Sequence, residues 1–184
     1  MNGRRILVGV TGGIAAYKSC SLVSLLVQRG ASVRVVMTKN ATQFVGPVTF
    51  QALSRNRVVT DLFISAEEWD SQHIVLARWA EAVVVAPATA SFLGKVAAGI
   101  SDDVLTCTVL ATRAPVLLAP AMNGNMWRHP AVVRSVELLK SFGYHFVGPA
   151  EGRLAEGVED IGRMSEPPET LAALEALLAG RAAG

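Results

Sequence analysis

Short, continuous apolar runs recur along this chain, and each is followed by a segment with helical character. A continuous apolar run of strand length is typical of a parallel strand that helices cover on both faces. The alternation of such strands with helices predicts an α/β fold, a doubly wound parallel sheet of the Rossmann or flavodoxin type. At 184 residues the chain is predicted to be a single domain. The predicted strands cover residues 4–10, 33–37, 82–86, 115–119 and 144–147.

Helices are predicted between the strands from apolar spacing and from glycine or proline at their ends. They cover residues 14–28, 47–54, 71–80, 92–98, 101–111, 130–142 and 167–178. Residues 101–103 (SDD) are interpreted as the N-cap and first turn of their helix. Residues 58–69 show no clear period and are predicted to be a loop with short elements. The glycine-punctuated segment 151–163 is predicted to be a flexible flap, and the tail 179–184 to be frayed.

Composition excludes several classes of protein. Apolar residues make up 51% of the chain, yet no apolar run approaches the ~18–20 residues that a membrane span needs. The excess apolar character therefore suggests subunit interfaces. The net charge is only +2 and the basic residues are scattered, which argues against nucleic acid. The N-terminus does not resemble a signal peptide, and Cys20 and Cys107 give neither a disulfide framework nor metal-ligand spacing. A cytoplasmic protein without a metal is expected.

A glycine turn follows the first predicted strand and opens the first helix. Its sequence is Thr11-Gly12-Gly13, and a helix N-terminus after such a turn can hold an anion. The turn does not read G-x-G-x-x-G, and no acidic residue ends the second strand to bind a ribose diol. Residues 38–42 (TKNAT) lie there instead. This favours a mononucleotide over NAD, although a turn of this kind can also bind nothing.

Two further polar segments follow strands. Residues 88–91 (ATAS) come after the third strand, and residues 120–127 (PAMNGNMW) come after the fourth. The carboxyl ends of parallel strands meet at one edge of the sheet, where open α/β folds bind ligands. The alternative for residues 120–127 is a surface loop that binds no ligand and whose methionines and Trp127 pack on the helix below. The convergence of all these segments on one edge predicts a binding site there.

Four blocks of sequence resemble the flavin-dependent cysteine decarboxylases. They extend in order over most of the chain, and the Asn-x-x-Met-Trp block together with an upstream histidine is the most specific part. The blocks are residues 10–18 (VTGGIAAYK), 73–80 (HIVLARWA), 86–106 (APATA, then KVAAG and DDVLT) and 120–127 (PAMNGNMW).

The resemblance implies FMN at a subunit interface of a homotrimer or of a dodecamer built from trimers. His73 matches the family's catalytic base. Asn123 matches the residue that holds the substrate carboxylate, and Met122 and Met126 belong to the same substrate-binding motif, with Trp127 expected to anchor the loop. The residues expected to bind the cofactor are Gly12, Gly13, Thr38, Ala88, Thr89, Ser91, Ser101 and Asp102.

The implied activity is oxidative decarboxylation of the cysteine moiety of 4'-phosphopantothenoylcysteine in coenzyme A biosynthesis. Oxidation of the thiol creates an electron sink for the departing carboxylate, and the cofactor takes up the electrons. One alternative is a peptidyl-cysteine decarboxylase of the lantibiotic type. Another is a non-catalytic flavin-binding regulatory subunit, which would be expected to lack the histidine or the asparagine. A fused or separate phosphopantothenoylcysteine synthetase is an expected partner.

The chain departs from the family pattern in two places. Residues 87–92 read PATASF where the family commonly has Pro-Ala-Ser-Ala-Asn-Thr, so the usual asparagine contact is missing. In the predicted flap, residues 154–157 read LAEG where many pantothenate-type members have Leu-Ala-Cys-Gly. Glu156 therefore replaces a cysteine that is associated with the final reductive step.

Overall fold

The structure, a computed structural model, describes residues 1–63 and 71–182. Five strands form one parallel sheet, and two further strands form a separate hairpin. The sheet strands are β1 (Arg5–Val10), β2 (Ser32–Met37), β3 (Ala82–Ala88), β4 (Val116–Pro120) and β5 (His145–Phe146), and the hairpin strands are β6 (Ala150–Arg153) and β7 (Glu159–Arg163). The helices are α1 (Ala16–Gln28), α2 (Pro47–Ser54), α3 (Gln72–Trp79), α4 (Ala90–Ala97), α5 (Val104–Ala111), α6 (Gly124–Arg128), α7 (Pro130–Ser141) and α8 (Pro167–Ala182), with a 3₁₀ turn at Ala41–Gln43.

The strand order in the sheet is β2-β1-β3-β4-β5, and every pairing is parallel. This is the flavodoxin-type order, with a change of winding direction beside β1 and β3. The predicted α/β doubly wound fold is therefore confirmed. All of β3 and β4 is buried, and only Arg5 of β1 is exposed, which explains why these strands are continuous apolar runs.

Helices cover the sheet on both faces and bury two separate cores. Alternate residues of β1 point to opposite faces, so Ile6 and Val8 join one core while Leu7 joins the other. The first core takes its helical side chains from α1, α2 and α8, and the second from α3, α4, α5 and α7. This arrangement leaves the two ends of the sheet open, and the carboxyl end carries the polar turns predicted from the sequence.

The helix after residues 101–103 begins later than the sequence predicts. Asp103, and not Ser101, is the N-cap of α5. The Asp103 carboxylate accepts the backbone N–H of Thr106 at 2.8 Å, and the Thr106 hydroxyl accepts the backbone N–H of Asp103 at 3.2 Å. This reciprocal capping box fixes the first turn and leaves Ser101 and Asp102 outside the helix.

The predicted flap 151–163 contains an antiparallel β-hairpin, with β6 and β7 on either side of a short tip. Its base is joined to the segment that leads into α6, since the Met122 backbone N–H donates to the Gly162 carbonyl at 3.0 Å. Gly162 has a φ of 136°, and a Cβ atom there would lie 2.1 Å from the Met122 carbonyl oxygen. The glycine thus permits strand packing at close range. Flexibility of the hairpin stays a prediction.

Two further predictions concern the loop 58–69 and the C-terminal tail. Val59 forms a parallel bridge with Val36 at the edge of the sheet, while residues 64–70 lie outside the described part. Helix α8 continues to Ala182, so residues 179–182 are helical where fraying was predicted. None of the helices in residues 1–63 and 71–182 is both long and apolar enough for a transmembrane span.

Candidate functional site

A cleft of about 1330 Å³ lies at the carboxyl end of the sheet. Ligand pockets commonly measure about 300–1,000 Å³, so this cleft has room for more than one small molecule. Every polar segment that follows β1 to β4 contributes to its wall, and the hairpin and the start of α8 close the opposite side. The convergence predicted from the sequence is therefore present in the structure.

Thr11 ties together the two turns that form the floor of the cleft. Its buried hydroxyl donates to the Pro87 carbonyl at 2.7 Å and accepts the Thr89 backbone N–H at 3.2 Å. Thr89 in turn caps α4 by accepting the backbone N–H of Phe92. The turn after β1 and the turn after β3 are thus held in a fixed relation, with the N-termini of α1 and α4 facing the same space.

The glycine turn has the geometry of an anion cradle. Asn40 lies so close that a Cβ atom on residue 12 would be 2.4 Å from the Asn40 Cβ, so only glycine fits at Gly12. Among the residues that the structure describes, the backbone N–H groups of Gly12, Ile14 and Ala15 find no acceptor. Unpaired N–H groups at a helix N-terminus suit a phosphate. Since a mononucleotide cofactor needs such a site, the residues present fit FMN.

The turn after β2 adds neutral polar groups to the same wall. Thr38 lines the cleft, and its hydroxyl oxygen accepts the Ala41 backbone N–H at 3.3 Å, which leaves the hydroxyl proton free to donate. Asn40 lies beside it in the lining. These groups can bind a phosphate or a hydroxylated chain, as the sequence predicts, and they offer no carboxylate for a ribose diol.

Most of the residues predicted to bind the cofactor line the cleft, and two do not. Ala88 lies outside the lining because it is buried at the end of β3, in the core covered by α3, α4, α5 and α7. Ser101 also lies outside; its carbonyl accepts the Cys107 thiol at 3.3 Å. The predicted residues in the lining are Gly12, Gly13, Thr38, Thr89, Ser91 and Asp102.

Asp102 lines the cleft as one half of an ion pair. Both of its carboxylate oxygens lie 2.8 Å from the Lys95 ammonium group. The hydrogen bond from Lys95 lowers the pKa of Asp102 below its ordinary value. Asp102 therefore holds the Lys95 ammonium group at the cleft wall, and its own carboxylate is already occupied by this ion pair.

The predicted substrate-binding residues lie together at the start of a short helix that the sequence did not reveal. Asn123 is the N-cap of α6, and Met122 and Met126 line the cleft beside it. The Asn123 side-chain oxygen accepts the Asn125 backbone N–H at 2.8 Å, which fixes the direction of its NH₂ group. That NH₂ group donates to the carboxylate of Glu156 at the tip of the hairpin. Trp127 lies outside the lining and packs against the core.

Strand β7 of the hairpin is attached to α6 by a bidentate ion pair. The Arg128 guanidinium donates to both carboxylate oxygens of Asp160, one of them at 2.9 Å. This hydrogen bonding lowers the pKa of Asp160 and raises that of Arg128. Gly124 lies directly beneath, where a Cβ atom would be 2.0 Å from the Asp160 carboxylate. Strand β7 and α6 therefore form one unit in the cleft wall.

His73 does not line the cleft of this chain. It lies in the first turn of α3 and is partly exposed. Helix α3 ends three residues before β3 begins, and both pack in the same core, so the helix runs antiparallel to the strand. The N-terminal turn of α3 therefore points toward the same carboxyl edge of the sheet, where His73 is partly exposed.

Sequence reasoning missed a charged group inside the cleft wall. Lys18 is 8% exposed, and its ammonium group donates to the Met164 carbonyl at 3.1 Å and to Glu166 at 2.8 Å. The Lys18 hydrogen bond lowers the pKa of Glu166. Arg163 lies 3.6 Å from the same carboxylate, and its buried Nε atom has no hydrogen-bond partner among the described residues. The available signal was a lysine on the helical stripe that Leu22 and Leu26 share.

Residues 1–178 match a protein-family model described as Flavoprotein. The bifunctional coenzyme A biosynthesis protein CoaBC of Bacillus subtilis is 53% identical over 167 residues, which cover 91% of this chain and 41% of that protein. CoaBC of Mycolicibacterium smegmatis is 48% identical over 175 residues, covering 95% of this chain and 42% of the relative. The chain thus spans less than half the length of these curated relatives.

Solved structures of decarboxylases are also similar to this chain. A PPC decarboxylase mutant complexed with pantothenoylaminoethenethiol has a TM-score of 0.89 and 32% identity, covering 96% of this chain and 98% of that chain. The FMN-dependent cysteine decarboxylase SpaF has a TM-score of 0.83 and 36% identity, and the match covers 96% of this chain and 97% of SpaF. These matches confirm the predicted fold, the predicted flavin cofactor and the resemblance to cysteine decarboxylases. The chain belongs to the Flavoprotein family.

Proposed function

We propose that the protein decarboxylates the cysteine moiety of 4'-phosphopantothenoylcysteine, with FMN as cofactor, and yields 4'-phosphopantetheine for coenzyme A biosynthesis. The observation that carries this proposal is one cleft that combines an anion cradle with an amide already holding a carboxylate. The cradle is the Gly12 turn, and the amide is that of Asn123. The relatives named for coenzyme A biosynthesis and for PPC decarboxylation support the choice of substrate.

FMN would be the oxidant, since it can accept the two electrons removed from the carbon that bears the substrate thiol and return them to the enethiol left after loss of CO₂. The protein has to bind the flavin, orient the substrate and accept the thiol proton. Gly12, Gly13 and Thr38 would hold the flavin phosphate together with Thr89 and Ser91 at the N-terminus of α4. Ala88 would contribute through its backbone at the end of β3, Asp102 would form part of the wall, and Ser101 would support the wall from outside the lining.

Asn123 would hold the substrate carboxylate through its NH₂ group. A neutral amide can orient a carboxylate without the strong ground-state stabilisation that a cation would give, which matters because this group must leave as CO₂. Met122 and Met126 would form an adaptable apolar wall beside the flavin and the thiol. The hairpin over residues 151–163 would act as a lid that excludes water during the reaction.

His73 would be the general base that accepts the thiol proton. A cysteine thiol has an ordinary pKa of about 8.5, so only a small fraction is thiolate at neutral pH and base assistance is useful. His73 lies near the edge that carries the cleft of its own chain but outside the lining of that cleft. We therefore propose that it serves the cleft of a neighbouring protomer, in a homotrimer or in a dodecamer of trimers.

Exposed apolar side chains at the mouth of the cleft support such an assembly. Ile14 and Tyr17 are 60% and 59% exposed, and both line the cleft. Large apolar side chains grouped on the surface commonly mark interfaces. A flavin seated at this mouth would be covered by a second copy of the chain, which agrees with the interface position implied by the family resemblance.

The chain is proposed to act as a single flavoprotein decarboxylase domain over residues 1–184. Its CoaBC relatives are bifunctional proteins more than twice as long, which supports a phosphopantothenoylcysteine synthetase, fused or separate, as partner. A cytoplasmic location is proposed because both cysteines, Cys20 and Cys107, are free and coenzyme A biosynthesis uses a thiol substrate.

A second candidate function is that of a peptidyl-cysteine decarboxylase, and one observation favours it. Glu156 lies in the cleft wall at the flap position where many pantothenate-type members have cysteine. If that cysteine is needed to reduce the enethiol, an enzyme without it could release the enethiol unreduced, as suits peptide modification.

Two assays on the purified protein test these alternatives. The visible spectrum shows whether FMN is bound, and mass spectrometry follows 4'-phosphopantothenoylcysteine in parallel with a peptide that ends in cysteine. The proposal expects a yellow protein that converts the phosphorylated substrate into 4'-phosphopantetheine. Conversion of the peptide alone would favour the second candidate, and a colourless protein that binds no added FMN would refute both.

A further inference from the structure

The hydrogen bond between Asn123 and Glu156 joins the two sides of the cleft. Asn123 lies on α6 and Glu156 at the tip of the hairpin, and both line the cavity. Because the Asn123 side-chain oxygen is occupied by the Asn125 backbone N–H, only the NH₂ group faces the cleft. The group that this NH₂ binds is a carboxylate, which is chemically the group that the proposed substrate would bring.

Glu156 has no competing attachment among the described residues. It makes no ion pair with any of them, although Arg153 and Arg163 lie in the same hairpin. Its side chain is exposed, and its neighbour Gly157 has a φ of 89° with open space where a Cβ atom would lie, so the tip has room to move. Strand β7, in contrast, is fixed to α6 by the ion pair between Arg128 and Asp160. The tip, residues 154–158, can therefore leave Asn123 while β7 stays in place.

We propose that Glu156 is an internal stand-in for the substrate carboxylate, so that the tip of the hairpin closes onto Asn123 whenever no ligand carboxylate is bound there. Two carboxylates at one amide would repel each other and compete for the same N–H donors. A ligand with a carboxylate must displace Glu156, whereas the decarboxylated product leaves Glu156 in place. The position of the tip thus reports whether CO₂ has left. The inference rests on the proposed function.

The proposal predicts a selective effect on ligand affinity, because ligand binding is thermodynamically linked to closure of the hairpin tip. A ligand that must break the Asn123–Glu156 contact binds with an affinity reduced by the fraction of protein in the closed state. A ligand that leaves the contact unbroken is not affected by it. Replacing Glu156 with alanine should therefore tighten the binding of carboxylate ligands and leave the binding of the decarboxylated product unchanged.

Calorimetric titration of the FMN-loaded protein tests this signature. The carboxylate ligand is phosphopantothenoylserine, whose hydroxyl replaces the oxidisable thiol, and the second ligand is 4'-phosphopantetheine. Glu156→Ala should lower the Kd of the serine analogue by about three- to tenfold, the scale of one hydrogen bond near a surface. It should leave the Kd of 4'-phosphopantetheine unchanged.

Two controls separate the contact from general charge effects. Glu159→Ala removes the same charge from β7 of the hairpin, outside the cleft lining, and should change neither Kd. In an Asn123→Ala background, Glu156→Ala should have no further effect, because the competing contact is already gone. An unchanged or weaker affinity for the serine analogue in Glu156→Ala, or equal tightening of both ligands, would overturn the inference.

Failure of the inference and failure of the proposed function give different results. If the wild-type protein decarboxylates 4'-phosphopantothenoylcysteine but Glu156→Ala does not show the selective change, only the role of Glu156 is wrong. If the wild-type protein neither binds nor decarboxylates the phosphorylated substrate, the proposed function is wrong.

Discussion

At the scale of single residues, most of the predicted site residues lie in the cleft of their own chain, whereas His73 lies outside it. Asn123 is fixed by capping α6, and Gly12 is required by the close approach of Asn40. His73 is at the correct edge of the sheet and yet outside the cleft. The role proposed for His73 therefore depends on assembly of several protomers. The flavin binding proposed for the glycine turn does not require His73.

Replacing His73 with asparagine should separate these two functions. We expect His73→Asn to retain bound FMN, seen in the visible spectrum, and to lose decarboxylation by about 10²–10⁴-fold, the usual contribution of a general base. His145→Asn is the matched control, because His145 is exposed on the short strand β5 and lies outside the cleft. Full activity in His73→Asn would remove His73 from the role of base.

Lys18 should contribute to stability through the hydrogen bonds of its buried ammonium group. Lys18→Met removes the donor of the buried Met164 carbonyl, and an unpaired buried acceptor costs about 1–3 kcal/mol. Chemical denaturation should show a loss of unfolding free energy of that order. Lys140→Met removes an exposed lysine that pairs with Glu137, and should change stability by less than about 0.5 kcal/mol. Equal effects of the two substitutions would contradict the role given to Lys18.

At the scale of elements, the hairpin is the part of the structure that differs most from its sequence signature. Glycines at positions 152, 157 and 162 suggest a loop, but two of them have φ values of 146° and 136° within the strands β6 and β7. Their role is to let the hairpin approach neighbouring groups closely. A sequence pattern cannot distinguish this use of glycine from flexibility, since both need the same freedom of φ.

Gly162→Ala tests the seating of the hairpin. The added Cβ atom would lie 2.1 Å from the Met122 carbonyl oxygen, so β7 has to move away from α6. We expect faster hydrogen exchange in the hairpin and a lower kcat/KM. Gly180→Ala, at an open position in α8, should leave both unchanged. Unaltered exchange in Gly162→Ala would mean that the hairpin is not held by this contact.

The attachment of the hairpin should also depend on pH. Because the Arg128 hydrogen bond lowers the pKa of Asp160, the ion pair stabilises the folded state fully above the ordinary carboxyl pKa. This contribution is lost as the pH falls through the lowered pKa of Asp160. Acid titration followed by NMR should show the hairpin amides shifting in that acidic range, and Asp160→Asn should abolish the transition. A transition that persists in Asp160→Asn would assign it to another group.

At the scale of the whole molecule, the parallel sheet was predictable because its strands are buried on both faces and therefore read as continuous apolar runs. The convergence of polar turns was predictable for the same topological reason. The short helix α6 was not, because five residues are too few to show a helical period. Nor was the separation of His73 from the cleft, since it depends on the direction in which a surface side chain faces.

Assembly is the main prediction at this scale. Ile14 and Tyr17 expose apolar surface at the cleft mouth, so the FMN-loaded protein should sediment as a trimer or a dodecamer. Tyr17→Asp should lower the assembled fraction and lower activity in proportion, because His73 would no longer reach a neighbouring cleft. Sedimentation velocity and the decarboxylation assay measure the two quantities on the same sample. A fully active monomer would contradict the proposed sharing of His73.

Loss of the carboxylate from a cysteine-containing phosphorylated substrate is the step on which the proposed function depends. It can be followed with 4'-phosphopantothenoylcysteine labelled isotopically in the cysteine carboxylate, incubated with the FMN-loaded protein, with capture of the labelled gas. We predict repeated turnover, with labelled CO₂ released in equal amount to the substrate consumed and no release from Asn123→Ala. A protein that binds FMN and the substrate but releases no labelled CO₂ would contradict the proposed function.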